Sequence, residues 1–124
     1  MDTRFTNLTK TKKIKIVARS IFLQGVLLHY NKELPFYFKK WKKIWKAIED
    51  LKEKYQISFL EVNLNFISQI LKKKKINSFI IGIDSISHLE EILDKIKFKN
   101  NSLNYRKIFS NNKNLIDPRN WKNV

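Results

Sequence analysis

Residues 14–19 alternate in polarity. Ile14, Ile16 and Ala18 fall on one side and Lys15, Val17 and Arg19 on the other, the two-residue period of a strand. The apolar run continues through residues 20–28, SIFLQGVLL, but Ser20 and then Gln24-Gly25 interrupt it. Glycine at such a break permits a backbone conformation, or a close approach, that a side chain would block. Residues 29–35 form a polar connection, and Pro35 argues against a helix running through it.

The period then changes. Trp41, Ile44, Trp45, Ile48, Leu51 and Tyr55 recur at spacings of three and four, which predicts an amphipathic helix over residues 38–55. Its other face carries Lys39, Lys40, Lys42, Lys43 and Lys46, then Glu49, Asp50 and Glu53. A second helix is predicted to start at Ser58, where Ser58 and Glu61 form a capping box. Leu60, Leu64, Ile67 and Leu71 are its buried stripe, and the lysines at 72–75 suit its C-terminal carbonyls. Residues 76–83, INSFIIGI, form a compact apolar run that reads as a strand buried on both faces. After Asp84, Ser85 or Ser87 caps a third helix with the stripe Leu89, Ile92, Leu93 and Ile96, and Glu90 and Glu91 in its first turn. Residues 99–124 are Asn-rich and weakly patterned, with a turn at Asp117-Pro118-Arg119; Leu115 and Trp121 are the residues placed to pin this tail to a surface.

The order strand, helical crossover, strand, helix implies a parallel pair in an α/β fold. Ligands in such folds gather at the carboxyl ends of strands. Here those ends are residues 20–25 and 82–85. The second is a glycine, a short polar turn and a helix N-terminus, an arrangement suited to phosphate as well as to a plain strand-to-helix turn.

Composition sharpens this only in part. The chain has 124 residues, which suits one domain or less, and 43% of them are hydrophobic, too many for disorder along the whole length. The formal net charge of +15 raises nucleic acid or an acidic partner as an alternative, bound through the lysine-rich helices. An abundance of lysine accounts for the same charge, so nucleic acid is expected only as non-specific charge binding. Trp41 and Trp45 offer rings for base stacking, but both lie on the apolar stripe, where core packing is the expected role. Cysteine is absent, which excludes disulfides and thiolate metal sites. His29 and His88 have no partners at zinc spacing, and no GxSxG, Walker or GxGxxG pattern occurs. No apolar run reaches the roughly 18 residues of a membrane span. MDTRFTNLTK lacks the apolar core of a secretory signal, so a cytoplasmic location without membrane partners is expected.

Three segments together resemble the aldo/keto reductase family. ARSIFLQG is similar to the family's seventh strand and loop, closest to a bacterial branch associated with surface-polysaccharide or sugar biosynthesis. FIIGIDSISHLEEIL is similar to the eighth strand and helix start, and MDTRF to the D-x-RF at the end of the sixth strand. The resemblance implies an α/β chain that is the C-terminal portion of a (β/α)₈ TIM barrel, about two β/α units, with residues 1–98 in the barrel and 99–124 as a tail. It implies an NAD(P)-dependent oxidoreductase ancestry. Ser20, Phe22, Gln24 and Gly25 match the loop passing the cofactor pyrophosphate. Gly82, Asp84, Ser85, His88 and Glu91 match the loop and helix holding the adenosine end.

This chain departs from the family pattern in places. His88 stands where Gln is usual and Ile92 where Asn is usual. Asp84 occupies a place often held by Ser, Lys or Arg facing the 2′-phosphate of NADP; a carboxylate repels that phosphate, leaving NAD or a degraded site. The family's Asp, Tyr, Lys and His tetrad has no counterpart here, and such a barrel takes roughly 250 residues. The isolated chain is therefore expected to be inactive, with bare strand edges that call for a complementing N-terminal polypeptide.

Overall fold

The computed structural model describes residues 14–28, 34–73 and 75–122. The MDTRF segment, His29 and Lys74 lie outside them. Helix dominates the described residues. A 3₁₀ helix, Phe36–Trp41, leads into α1, Lys42–Tyr55. α2 follows at Phe59–Lys72 and α3 at Ile86–Lys95. The strands are β1, Val17–Ala18, before the helices, and β2, Ser78–Phe79, between α2 and α3. A one-turn helix α4, Lys113–Ile116, and short 3₁₀ turns at Arg106–Ile108 and Pro118–Asn120 complete the described chain.

The helices form where they are predicted because their signals are local, but the stripe predicted for α3 is only half met: Ile92 is buried, while Leu89 and Leu93 are exposed. Ser58 caps α2: its hydroxyl accepts the Glu61 N–H at 3.1 Å, and Glu61 Oε2 accepts the Ser58 N–H at 2.8 Å. Ser85, rather than Ser87, caps α3. Glu90 and Glu91 fall beyond the first turn of α3, which begins at Ile86. α1 ends in a Schellman turn. The Ile57 N–H reaches Lys52 O and the Gln56 N–H reaches Glu53 O, with Gln56 itself left-handed at φ 52°.

The strands are parallel, as the element order implies, in the register Val17↔Ser78 and Ala18↔Phe79. Asn77 anchors the pair at one end, its Oδ1 accepting the Ile16 N–H at 2.7 Å and its own N–H donating to Ile16 O at 2.8 Å. The ladder closes with the Ile80 N–H on Ala18 O.

Here the fold expectation is corrected. The described chain is not a portion of a TIM barrel with two β/α units; it is a mostly helical structure with one two-stranded sheet of two residues per strand. The physical reasons are visible at both strand ends. Ser20 turns left-handed, φ 54°, and ends β1. The 76–83 run was expected to be buried on both faces, yet Ile80 is 62% exposed and Ile83 46%. Four strand residues offer too little sheet for helices to cover. α1 and α2 instead close a core against each other and against the chain's C-terminal stretch.

That core joins Phe38, Trp45, Ile48, Ile57, Val62, Leu103 and Leu115, with Trp121 packed on it. Trp45 is buried and its indole N–H donates to Phe38 O at 2.7 Å; the tryptophan stripe is core, as its helical spacing predicted. Residues 100–105 are tied down by side chains of α2. Gln69 Nε2 donates to the carbonyls of Asn100 and Leu103, and the Tyr105 hydroxyl donates to Val62 O at 3.0 Å beside the buried Asn65. A second, smaller cluster gathers Phe22, Leu60, Leu64 and Ile92.

Candidate functional site

Because β1 and β2 run parallel and in register, their carboxyl ends lie side by side. The turn at residues 20–28 leaves β1, and the turn at 82–85 leads from β2 into α3. One apolar cluster fastens the two together. Phe22, buried, packs with Ile92 of α3 and Leu60 and Leu64 of α2, with Ile81 against them. Phe22 is thus a packing residue of the site rather than one free to touch a ligand.

The first turn is unusual in its backbone. Leu23, Gln24 and Gly25 are all left-handed, at φ 50°, 55° and 83°. Glycine adopts this region freely, while each non-glycine residue there costs roughly 1 kcal/mol or more. The turn is held by the Leu23 N–H on Ser20 O and the Leu28 N–H on Gly25 O. Phe22 and Leu27 anchor the turn in the two apolar clusters. Ser20 and Gln24 remain exposed.

The second turn carries a small polar cluster. The Ser85 hydroxyl accepts the His88 N–H at 3.1 Å and lies 3.1 Å from the Ser87 hydroxyl. His88 Nδ1 lies 3.0 Å from Asp84 Oδ1, so the carboxylate and the imidazole are paired across the helix start. The Asp84 side chain is 89% exposed. Gly82 sits in the open: a Cβ there would meet nothing within 4 Å, so no contact among the described residues requires a glycine. Glu91 is exposed one turn into α3, separate from the polar cluster.

For an adenine dinucleotide the residues present fit in one respect each. The open ground above Gly82 admits a ligand. The first amides of α3, apart from that of His88, are free to face an anion. The Asp84 carboxylate suits a ribose 2′-hydroxyl donor and opposes a 2′-phosphate. When bound, such a group would supply hydride chemistry. No Asp, Tyr, Lys and His set positioned to use it is found among the described residues of this site.

The lysine face is present but partly engaged. Lys46 bonds Asp50 at 3.1 Å, and that hydrogen bond raises the Lys46 pKa. Lys40 lies over the rings of Tyr37 and Trp41, at 4.1 and 4.4 Å from their centroids, which occupies ring faces a base would need.

Sequence reasoning missed the two asparagines of α2, Asn63 and Asn65, both buried. The signal was available: VNLNF places two amides within an apolar stripe, and buried amides hold hydrogen-bonded positions. Asn63 Nδ2 donates to Phe59 O at 2.8 Å and to Leu27 O at 3.3 Å, tying α2 to the turn after β1.

Comparison with protein-family models gives no match, and no curated protein or solved structure compared with the chain matches it.

Proposed function

We propose that this chain is a non-catalytic, cofactor-contacting segment of an aldo/keto reductase-like NAD(P)-dependent oxidoreductase, meeting the pyrophosphate of NAD through the turn at 20–25 and its adenosine end through the turn at 82–85. The observation that carries the reading is the parallel pairing of β1 and β2. It sets ARSIFLQG and GIDSISH, the two segments that resemble the family's cofactor loops, at one end of one sheet. Asp84 favours NAD over NADP, since it brings a negative charge to the place a 2′-phosphate would occupy. Turnover would require groups from a complementing polypeptide, for which the exposed Val17 and Ile80 along the strand pair offer an apolar landing edge.

The test is equilibrium dialysis of the chain against NAD and NADP, with Asp84→Ser alongside. The reading expects NAD to be retained over NADP by the parent chain, the preference to narrow in Asp84→Ser, and no oxidation of NADH with aldehyde or keto-sugar substrates. Equal retention of both cofactors in both proteins would reject it. So would steady NADH consumption by the pure chain.

The alternative, a basic protein binding nucleic acid or an acidic partner, draws on the exposed Lys39, Lys40, Lys42 and Lys43. DNA binding that persists at moderate salt would favour it, because purely electrostatic binding falls steeply with salt.

A further inference from the structure

Beneath the turn that follows β1, and between it, α1, α2 and the stretch around residues 105–116, lies a cavity of about 300 Å³. That is the size at which ligand pockets begin. Its wall contains Trp45, Phe66, Tyr105 and Phe109. Phe66 and Tyr105 meet at 5.0 Å with their planes 61° apart, forming an aromatic corner. Phe109, 65% exposed, stands at the rim. Among the described residues that line this cavity there is no Lys, Arg, Asp or Glu. An ionic ligand would find no counter-charge there.

One polar group in the wall is both buried and half-used. Asn63 is 9% exposed, and both hydrogen bonds of its side chain run through Nδ2, to carbonyls that can only accept. The amide orientation is thereby fixed, and Oδ1 is the remaining acceptor. Asn63 lines the cavity, and its Oδ1 has no hydrogen-bond partner among the described residues. The Tyr105 hydroxyl does not compete for it, being committed to Val62 O and Asn65.

We propose that this cavity binds a small, neutral, aromatic molecule bearing one hydrogen-bond donor, which Asn63 Oδ1 accepts while the rings of Trp45, Phe66 and Tyr105 surround it. Apolar space of this size forfeits dispersion contacts when empty, and a flat ring system restores them. The site is separate from the Asp84 cluster, although Ser20 and Leu23 border it. It stands whether or not the chain contacts NAD.

Indole and 1-methylindole test it, since they share a ring system and only indole has an N–H to donate. Calorimetric titration of the full chain is expected to show saturable binding of one indole, with 1-methylindole about tenfold weaker, the worth of one hydrogen bond. Asn63→Leu should abolish that difference, and Ile108→Trp, which fills the cavity, should abolish both. In the unmodified chain, NOE contacts from indole to the methyl groups of Ile48 and Val62 should appear, so the test does not depend on either variant folding. Equal binding of the two indoles, no saturable binding, or contacts only outside the cavity would overturn the proposal.

Discussion

Trp121 stands edge-on to Phe38, ring centroids 4.8 Å apart and planes at 89°. They lie 83 positions apart in sequence, and Phe38 is completely buried. The contact makes the Asn-rich C-terminal stretch part of the wall around the chain's core. Trp121 also donates its indole N–H to Leu115 O at 3.1 Å, so it locks α4 as well as the 3₁₀ helix Phe36–Trp41.

Replacing Trp121 by Ala should therefore lower stability by roughly 2 kcal/mol, through lost ring area and the edge-to-face contact. Urea denaturation followed by far-ultraviolet circular dichroism measures it. An unchanged midpoint would mean that this stretch folds independently of the helices.

Ser58→Ala removes one side of the capping box at α2 and should cost about 1 kcal/mol. The loss should be nearly the same whether or not Glu61 is also changed to Ala, because the two side chains act as a pair. Additive losses in the double variant would show that each caps the helix alone.

Gln56 pays for a left-handed conformation at the end of α1 without being glycine. Gln56→Gly should raise stability by up to about 1 kcal/mol, the relief of strain exceeding the added freedom of the unfolded chain. A fall in melting temperature would contradict this account of the turn.

Burial, with a smaller contribution from Tyr55, pushes the Tyr105 phenol well above its ordinary value of 10.0. The folded state thus holds this proton more tightly than the unfolded state. Its contribution to stability is complete below a pH of about 10 and is lost as pH rises beyond that, toward the folded value. Melting temperature should fall with pH in this alkaline range, and fall less steeply in Tyr105→Phe. Identical slopes would show that the phenol is not the group responsible.

What was legible in the sequence was local. The cap at Ser58 and Glu61, the stripe of Trp45 and Ile48, and the cap at Ser85 each depend on residues within a few positions of one another. The parallel pairing of β1 and β2 followed from element order. Strand length did not follow, because it depends on neighbours: INSFIIGI has the composition of a buried strand, but only Ser78 and Phe79 have partners to pair with. Leu115 and Trp121 do pin the tail to the core, as their apolar character among asparagines suggested, but the role of Leu103 and Tyr105 was hidden, since they follow no period and are recruited by α1 and α2 across distance. At the candidate site, Asp84, Ser85 and His88 come together as their spacing on a helix start requires. Phe22 belongs to the packing instead, and the left-handed run at residues 23–25 had only Gly25 to announce it.

In the proposed reading the turn at 20–25 meets the pyrophosphate of NAD, and the turn at 82–85 with the start of α3 meets its adenosine end. Amide chemical-shift mapping tests it most directly, by titrating the ¹⁵N-labelled chain with NAD and, separately, with NADP. The account predicts that NAD shifts the amides of Gln24, Gly25, Asp84, Ser85 and His88, and that NADP shifts them less. No shift at these residues, or shifts confined to Lys39, Lys40, Lys42 and Lys43, would contradict it.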